Sequence, residues 1–175
     1  MDRNAPNPGR MIRFWGGLLL FFILTGCSLT PKPATYDPLI PYNRVRPNPE
    51  LLPDEVVQIQ IEALQFNDSK DRGIEITFRF ASPGNKRFTG PLPRFTQMLR
   101  NPLYRSMLNH KSATYEPINI DGTAASQLVT LVDLEGNSIV YLFALSKQSE
   151  PPCLGCWMTD SVGIIAVKRT NNQEG

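Results

Sequence analysis

The hydrophobic period changes once along this chain, at His110, and that change restricts the folds open to it. Before His110 apolar residues recur at helical spacing; after it they alternate. Val56, Val57, Ile59, Ile61, Ala63, Leu64 and Phe66 form one stripe, covering an arc of roughly 220° at 100° per residue. Pro53-Asp54-Glu55 sets a proline and two acids where a helix begins. A stripe that wide suits a helix held in a concave surface. Residues 92–100 and 103–109 read as short helices, broken at Asn101-Pro102 because proline disfavours a helical residue before it. Residues 73–82 are ambiguous: their alternation says strand, while Ile74, Phe78 and Ala81 fit a helix face. Pro83-Gly84-Asn85 ends that element in either case.

Residues 111–118, 123–133, 138–146 and 157–167 read as four strands. Asp121-Gly122 and Glu135-Gly136-Asn137 mark hairpins between the first three. The run Ile139 to Leu145 is apolar on both faces, which makes that strand central and covered twice. A partner subunit, the preceding tether or strand curl could provide the second cover. Helices first and an antiparallel meander afterwards is an α+β plan. The expected fold has N-terminal helices packed in a curved four-stranded antiparallel sheet. By analogy it is cone-like, as in cystatin and the nuclear-transport-factor-two-like (NTF2-like) proteins.

The N-terminal part has a different logic. Met11-Ile12-Arg13 supplies a small basic region, and an unbroken run of apolar residues and glycines follows to Leu24. Leu24-Thr25-Gly26-Cys27 closes it and resembles the bacterial lipobox. This is the layout of a secretory signal. The resemblance implies removal of residues 1–26 and acylation of Cys27, so membrane lipid is an expected partner. At about 1.5 Å per residue the apolar run covers roughly half of a bilayer core, too short to span. Ser28 takes the place of the aspartate that retains many enterobacterial lipoproteins in the inner membrane, which favours the periplasmic face of the outer membrane. Residues 27–52 then read as a proline-rich, extended tether, with residues 36–42 the piece best suited to pack along the domain. Residues 53–168 form the domain and 169–175 a polar tail.

The formal charge of +2 belongs to the discarded part: Arg3, Arg10 and Arg13 against Asp2 precede Cys27, and 15 basic side chains balance 15 acidic ones after it. A neutral chain gives no argument for nucleic acid. Of three cysteines, Cys27 goes to lipid, leaving Cys153 and Cys156 as a pair that an oxidising compartment would join. One histidine cannot complete a four-ligand zinc site with that pair. Pro151-Pro152 before it and a strand after it supply no helix N-terminus to activate a thiolate, so the pair reads as structural. No metal and no cofactor is expected.

Over residues 53 to 167 the chain resembles a bacterial and plastid family known as domain of unknown function 4864. The match is carried by Glu55 to Gln65, Gly73-Ile74, Phe78-Arg79-Phe80-Ala81-Ser82-Pro83, Asn85-Lys86, Thr89-Gly90-Pro91-Leu92, Arg94-Phe95, Met107-Leu108-Asn109-His110 and Cys156-Trp157-Met158-Thr159-Asp160. The resemblance implies that residues 73–82 are helical, against their alternation. It implies nothing about activity.

Candidate site residues are few. Between Glu75 and Glu116 there is no acid, yet Arg79, Arg94 and Arg100 fall there with four other cations. Gathered on one surface they would attract an anionic lipid or ligand; alternatively the acids of the sheet half neutralise them across the packing contact. His110, the only histidine, lies where helices give way to strands, and with Asp160, Tyr141 or Tyr104 it could form an acid/base pair inside a cone. A lone histidine is more often structural. Trp157 reads first as core and second as a ligand contact. The expected function is a lipid-anchored, non-catalytic module that binds a ligand or partner. A small cone-fold hydrolase or isomerase using His110 and Asp160 is the alternative, and homodimerisation through the sheet would cover its second apolar face.

Overall fold

A computed structural model describes residues 37–169. Cys27, the signal-like run and the tail from 170 onward lie outside the described residues. Four helices, α1 (Pro53–Gln65), α2 (Arg72–Arg79), α3 (Pro83–Thr89) and α4 (Leu92–Arg100), precede five strands. The strands are β1 (Ser112–Tyr115), β2 (Asn119–Asp121), β3 (Ala124–Val132), β4 (Ser138–Lys147) and β5 (Trp157–Lys168). They form one open antiparallel sheet ordered β1-β3-β4-β5, with β2 also pairing β3. The fold is α+β, as the change of period implies.

The strand count is five where the alternation suggested four. Residues 111–118 were expected as a single strand, but pairing with β3 is interrupted after Tyr115 and resumes at Asn119. Pro117, which has no N–H to give to a ladder, lies in the gap. A second correction concerns Pro83-Gly84-Asn85. These residues do not merely end α2; they begin α3. Proline sits in its first turn and the Ser82 hydroxyl accepts from the Asn85 N–H at 3.1 Å. Residues 103–109 hold only a 3₁₀ turn, Arg105–Met107, in place of the expected helix. The segment at 73–82 is helical over Arg72–Arg79, as the family resemblance implied and the alternation did not.

The wide stripe of α1 is explained by its two neighbours. Val56, Val57, Ile61 and Leu64 enter the main core with Val129, Tyr141 and Phe143 of the sheet, while Ala63 packs with Ile76 of α2. The two helices meet at Gly73, where a Cβ would collide with the Ala63 carbonyl oxygen and stand 3.0 Å from the Asn67 Cα. Leu39, 1% exposed, fills the remaining notch beside Ala63 and Ile76. Asp37 anchors that segment to Arg72 at 2.7 Å, and the Tyr42 hydroxyl donates to Glu62. Residues 37–43 thus lie along α1 and α2.

On β4, Ile139, Tyr141, Phe143 and Leu145 are buried, while Val140, Leu142 and Ala144 are half-buried. The Cα atoms of Cys153 and Cys156 are 5.6 Å apart and the pair stands at disulfide distance, in the loop between β4 and β5.

The close approach at Gly73 makes a direct test. Gly73→Ala should lower stability in urea unfolding by about 1–3 kcal/mol, the usual range for forced overpacking. An unchanged midpoint would show that α1 and α2 do not meet there.

Candidate functional site: an apolar cleft between helices and sheet

A cleft of about 120 Å³ opens where the four helices face β4 and β5. Leu64, Phe95, Leu99, Met107 and Phe143 form its apolar interior, and Met98, Tyr104 and Val162 continue the wall outward. Phe88, the second-last residue of α3, stands at the rim with 84% of its surface exposed.

The polar groups of the lining are mostly used within the protein. Gln60, 2% exposed, donates from Nε2 to the Thr77 carbonyl at 3.1 Å and accepts at Oε1 from the Thr159 hydroxyl at 2.6 Å. Thr77 donates its hydroxyl toward the Gln60 and Gly73 carbonyls. Asn85 Nδ2 donates to the Thr159 carbonyl at 3.0 Å, Thr89 donates to the Asn85 carbonyl, and the Tyr104 hydroxyl donates to the Val162 carbonyl at 3.3 Å. Asp160 and Ser161 differ: among the described residues their side chains have no hydrogen bond or ion pair.

A bulge explains how Asp160 comes to line the cleft. Thr159 pairs with Leu145 and Ser161 with Ala144, leaving Asp160 as the extra residue of β5. Strict alternation would send Asp160 to the face opposite Thr159; a bulge re-aims the side chain. Thr159, Asp160, Ser161 and Val162 all line the cleft.

The sequence candidates are dispersed. His110 is 3% exposed and does not line the cleft; its Nδ1 stands 2.9 Å from the Met107 carbonyl. That contact places the proton on Nδ1 of the neutral ring, leaving Nε2 buried and without a partner among the described residues. Burial pushes the imidazole pKa down, outweighing the Met107 carbonyl, which favours the charged form. Asp160 reaches the cleft and His110 does not, so the two do not converge in it. Tyr141 is fully buried in the core, and burial pushes its phenol pKa up. Tyr104 is the tyrosine that lines the cleft. Trp157 is buried at the start of β5, opposite Lys147 and away from the cleft.

Arg79, Arg94 and Arg100 also lie outside the lining. Arg79 pairs with Glu75 at 2.8 Å and donates to the Asn43 carbonyl at 3.0 Å. Arg100 grips both oxygens of Asp71, at 2.7 and 2.9 Å. Arg94 is exposed and unpaired among the described residues. The neutralising acids belong to the helical half itself, not to the sheet. Among the described residues no group of His, Cys, Asp and Glu could hold a metal ion, and no helix is long and apolar enough to cross a membrane.

Two residues of the site carried no weight in the sequence reading. Gln60 interrupts the apolar stripe of α1, and a polar residue at a core position is a signal for a buried hydrogen-bonding role. Phe88 lies beyond Pro83-Gly84-Asn85, which reads as a helix end, in a stretch given no element in the sequence reading.

The fold and site define an α+β domain with an apolar cleft between its helices and an open antiparallel sheet. The chain belongs to the family described as Domain of unknown function (DUF4864), which it matches over residues 52–172. No curated protein and no solved structure matches it.

His110 offers a pH test. Its folded pKa is depressed, so below about pH 6.5 the unfolded chain binds the proton more readily than the folded one. Stability should fall as the pH drops through that range, and His110→Gln should remove this component. Equal pH slopes for the two proteins in thermal unfolding would contradict a buried neutral imidazole.

Proposed function

We propose that this is a lipid-anchored protein of the bacterial cell envelope, acylated at Cys27, whose folded domain binds a ligand rather than transforming one. The observation that carries the binding half is the chemistry of the cleft: an apolar interior, the polar groups of Gln60, Thr77, Asn85, Thr89 and Tyr104 already hydrogen-bonded within the protein, and no histidine beside Asp160 among the described lining residues. The lipobox-like Leu24-Thr25-Gly26-Cys27 supports the anchoring half, and Ser28 favours the periplasmic face of the outer membrane. The wide stripe of α1 and the bulged β5 favour the cone arrangement of the NTF2-like proteins.

The same reading assigns the outer face of the sheet to a second copy of the chain. Across β3, β4 and β5 the rows Leu128–Leu142–Gly163 and Thr130–Val140–Ala166 carry no charge. An anionic lipid or ligand remains the reading for the exposed arginines, with Arg94 and Arg87 its main contributors now that Arg79 and Arg100 are paired.

Native mass spectrometry of the protein extracted from its membrane tests the proposal. The expected chain begins at an acylated Cys27, runs as a dimer and carries a non-covalent apolar guest that Met98→Trp, which fills the cleft, displaces. A chain retaining residues 1–26 contradicts the anchor. An empty cleft, or a guest unaffected by Met98→Trp, contradicts the binding site.

A further inference from the structure

Resting on the reading of the cleft as a ligand site, we infer that it selects small apolar ligands bearing an ammonium group, with the chain or ring buried among Leu64, Leu99 and Phe143 and the cation held between Asp160 and Phe88. Three observations point the same way.

The first is charge. Among the described residues that line the cleft, Asp160 is the only ionisable acid or base apart from the phenol of Tyr104, and there is no lysine, arginine or histidine. An anionic head group would meet an uncompensated carboxylate and no cation. A cationic head group would find its counter-charge at the point where the cleft opens to water. The second is hydrogen-bond accounting. Gln60, Thr77, Asn85, Thr89 and Tyr104 already have partners in the protein. A neutral polar ligand would have to compete for them, whereas the Asp160 carboxylate is available without breaking anything. The third is the aromatic content. Phe88 and Tyr104 line the cleft, Phe88 with most of its surface exposed, and ring faces attract ammonium groups. The exposure of Phe88 and the bulge that turns Asp160 into the cleft both acquire a purpose under this assignment.

Size limits the apolar part. About 120 Å³ of space compares with an engineered cavity of about 150 Å³ that holds benzene. One six-carbon chain or one ring fits, and a diacyl lipid does not.

The test compares three compounds of equal chain length by calorimetric titration of the whole protein at pH 7: n-hexylammonium, hexan-1-ol and hexanoate. Hexylammonium should bind roughly five- to tenfold tighter than hexanol, the range for one partly solvated carboxylate and one ring face, and hexanoate should bind weakest. Asp160→Asn should remove most of the preference for hexylammonium over hexanol, leaving the smaller part supplied by the Phe88 ring, with an unchanged thermal melt reporting an intact fold. Phe88→Ala should reduce the ammonium preference by a smaller factor. Equal affinity for hexylammonium and hexanol, or a preference for the amine that Asp160→Asn leaves undiminished, would overturn the charge assignment and leave the apolar site standing. Failure of all three compounds to bind would overturn both.

Discussion

One buried glutamine holds together the elements that enclose the cleft. Gln60 belongs to α1, its amide nitrogen donates to Thr77 of α2, and its amide oxygen accepts from Thr159 of β5. A buried amide left without partners costs about 1–3 kcal/mol, so helix, helix and strand are held at one separation or that cost is incurred. Thr159 extends the tie. Its backbone N–H donates to Phe80 and its carbonyl accepts from Ser82, each at 2.9 Å, making a short parallel bridge between the corner after α2 and the edge of the sheet. The floor of the cleft is therefore a closed hydrogen-bond network beneath an apolar wall. A preorganised site of this kind does not have to be assembled by its ligand.

The charged groups follow a local rule that sequence position obscures. Between Glu75 and Glu116 the chain is all cations, which invites a basic face. The fold instead turns the acids just before that stretch back onto it: Glu75 onto Arg79, Asp71 onto Arg100, Asp68 and Asp37 onto Arg72. Lys86 is half-buried; its ammonium donates to the Arg79 carbonyl at 3.1 Å and lies 5.4 Å from the Phe78 ring centre. Partly exposed pairs such as these add little stability. Their larger effect is to leave few free cations around a cleft whose own charge is a single carboxylate.

How much of this was legible depended on the range of the interactions involved. α1 and α4 announce themselves through period and proline because a helix is a local object. The length of β4 and its central place follow from an apolar run with turn signals on each side. Three features were not legible for physical reasons. Pro83 can end one helix or open another, and the choice depends on the Ser82 hydroxyl finding the Asn85 N–H. Pro117 can sit within an edge strand or divide it, and the outcome depends on whether pairing with β3 calls on the N–H it lacks. The bulge at Asp160 is a property of pairing with β4, and alternation alone would have turned that carboxylate away from the cleft. Asp160 lines the cleft and His110 does not; the His110 ring is turned to the Met107 carbonyl instead.

The central claim is that the space between α1, α4 and β4 is where this protein receives a ligand. The most direct measurement is a set of intermolecular nuclear Overhauser contacts from the chain protons of bound n-hexylammonium to methyl groups of the protein. The account predicts contacts to Leu64, Leu99 and Met107, which line the cleft. Contacts to Val140 and Leu142 on the outer face of the sheet, with none to the cleft, would contradict it.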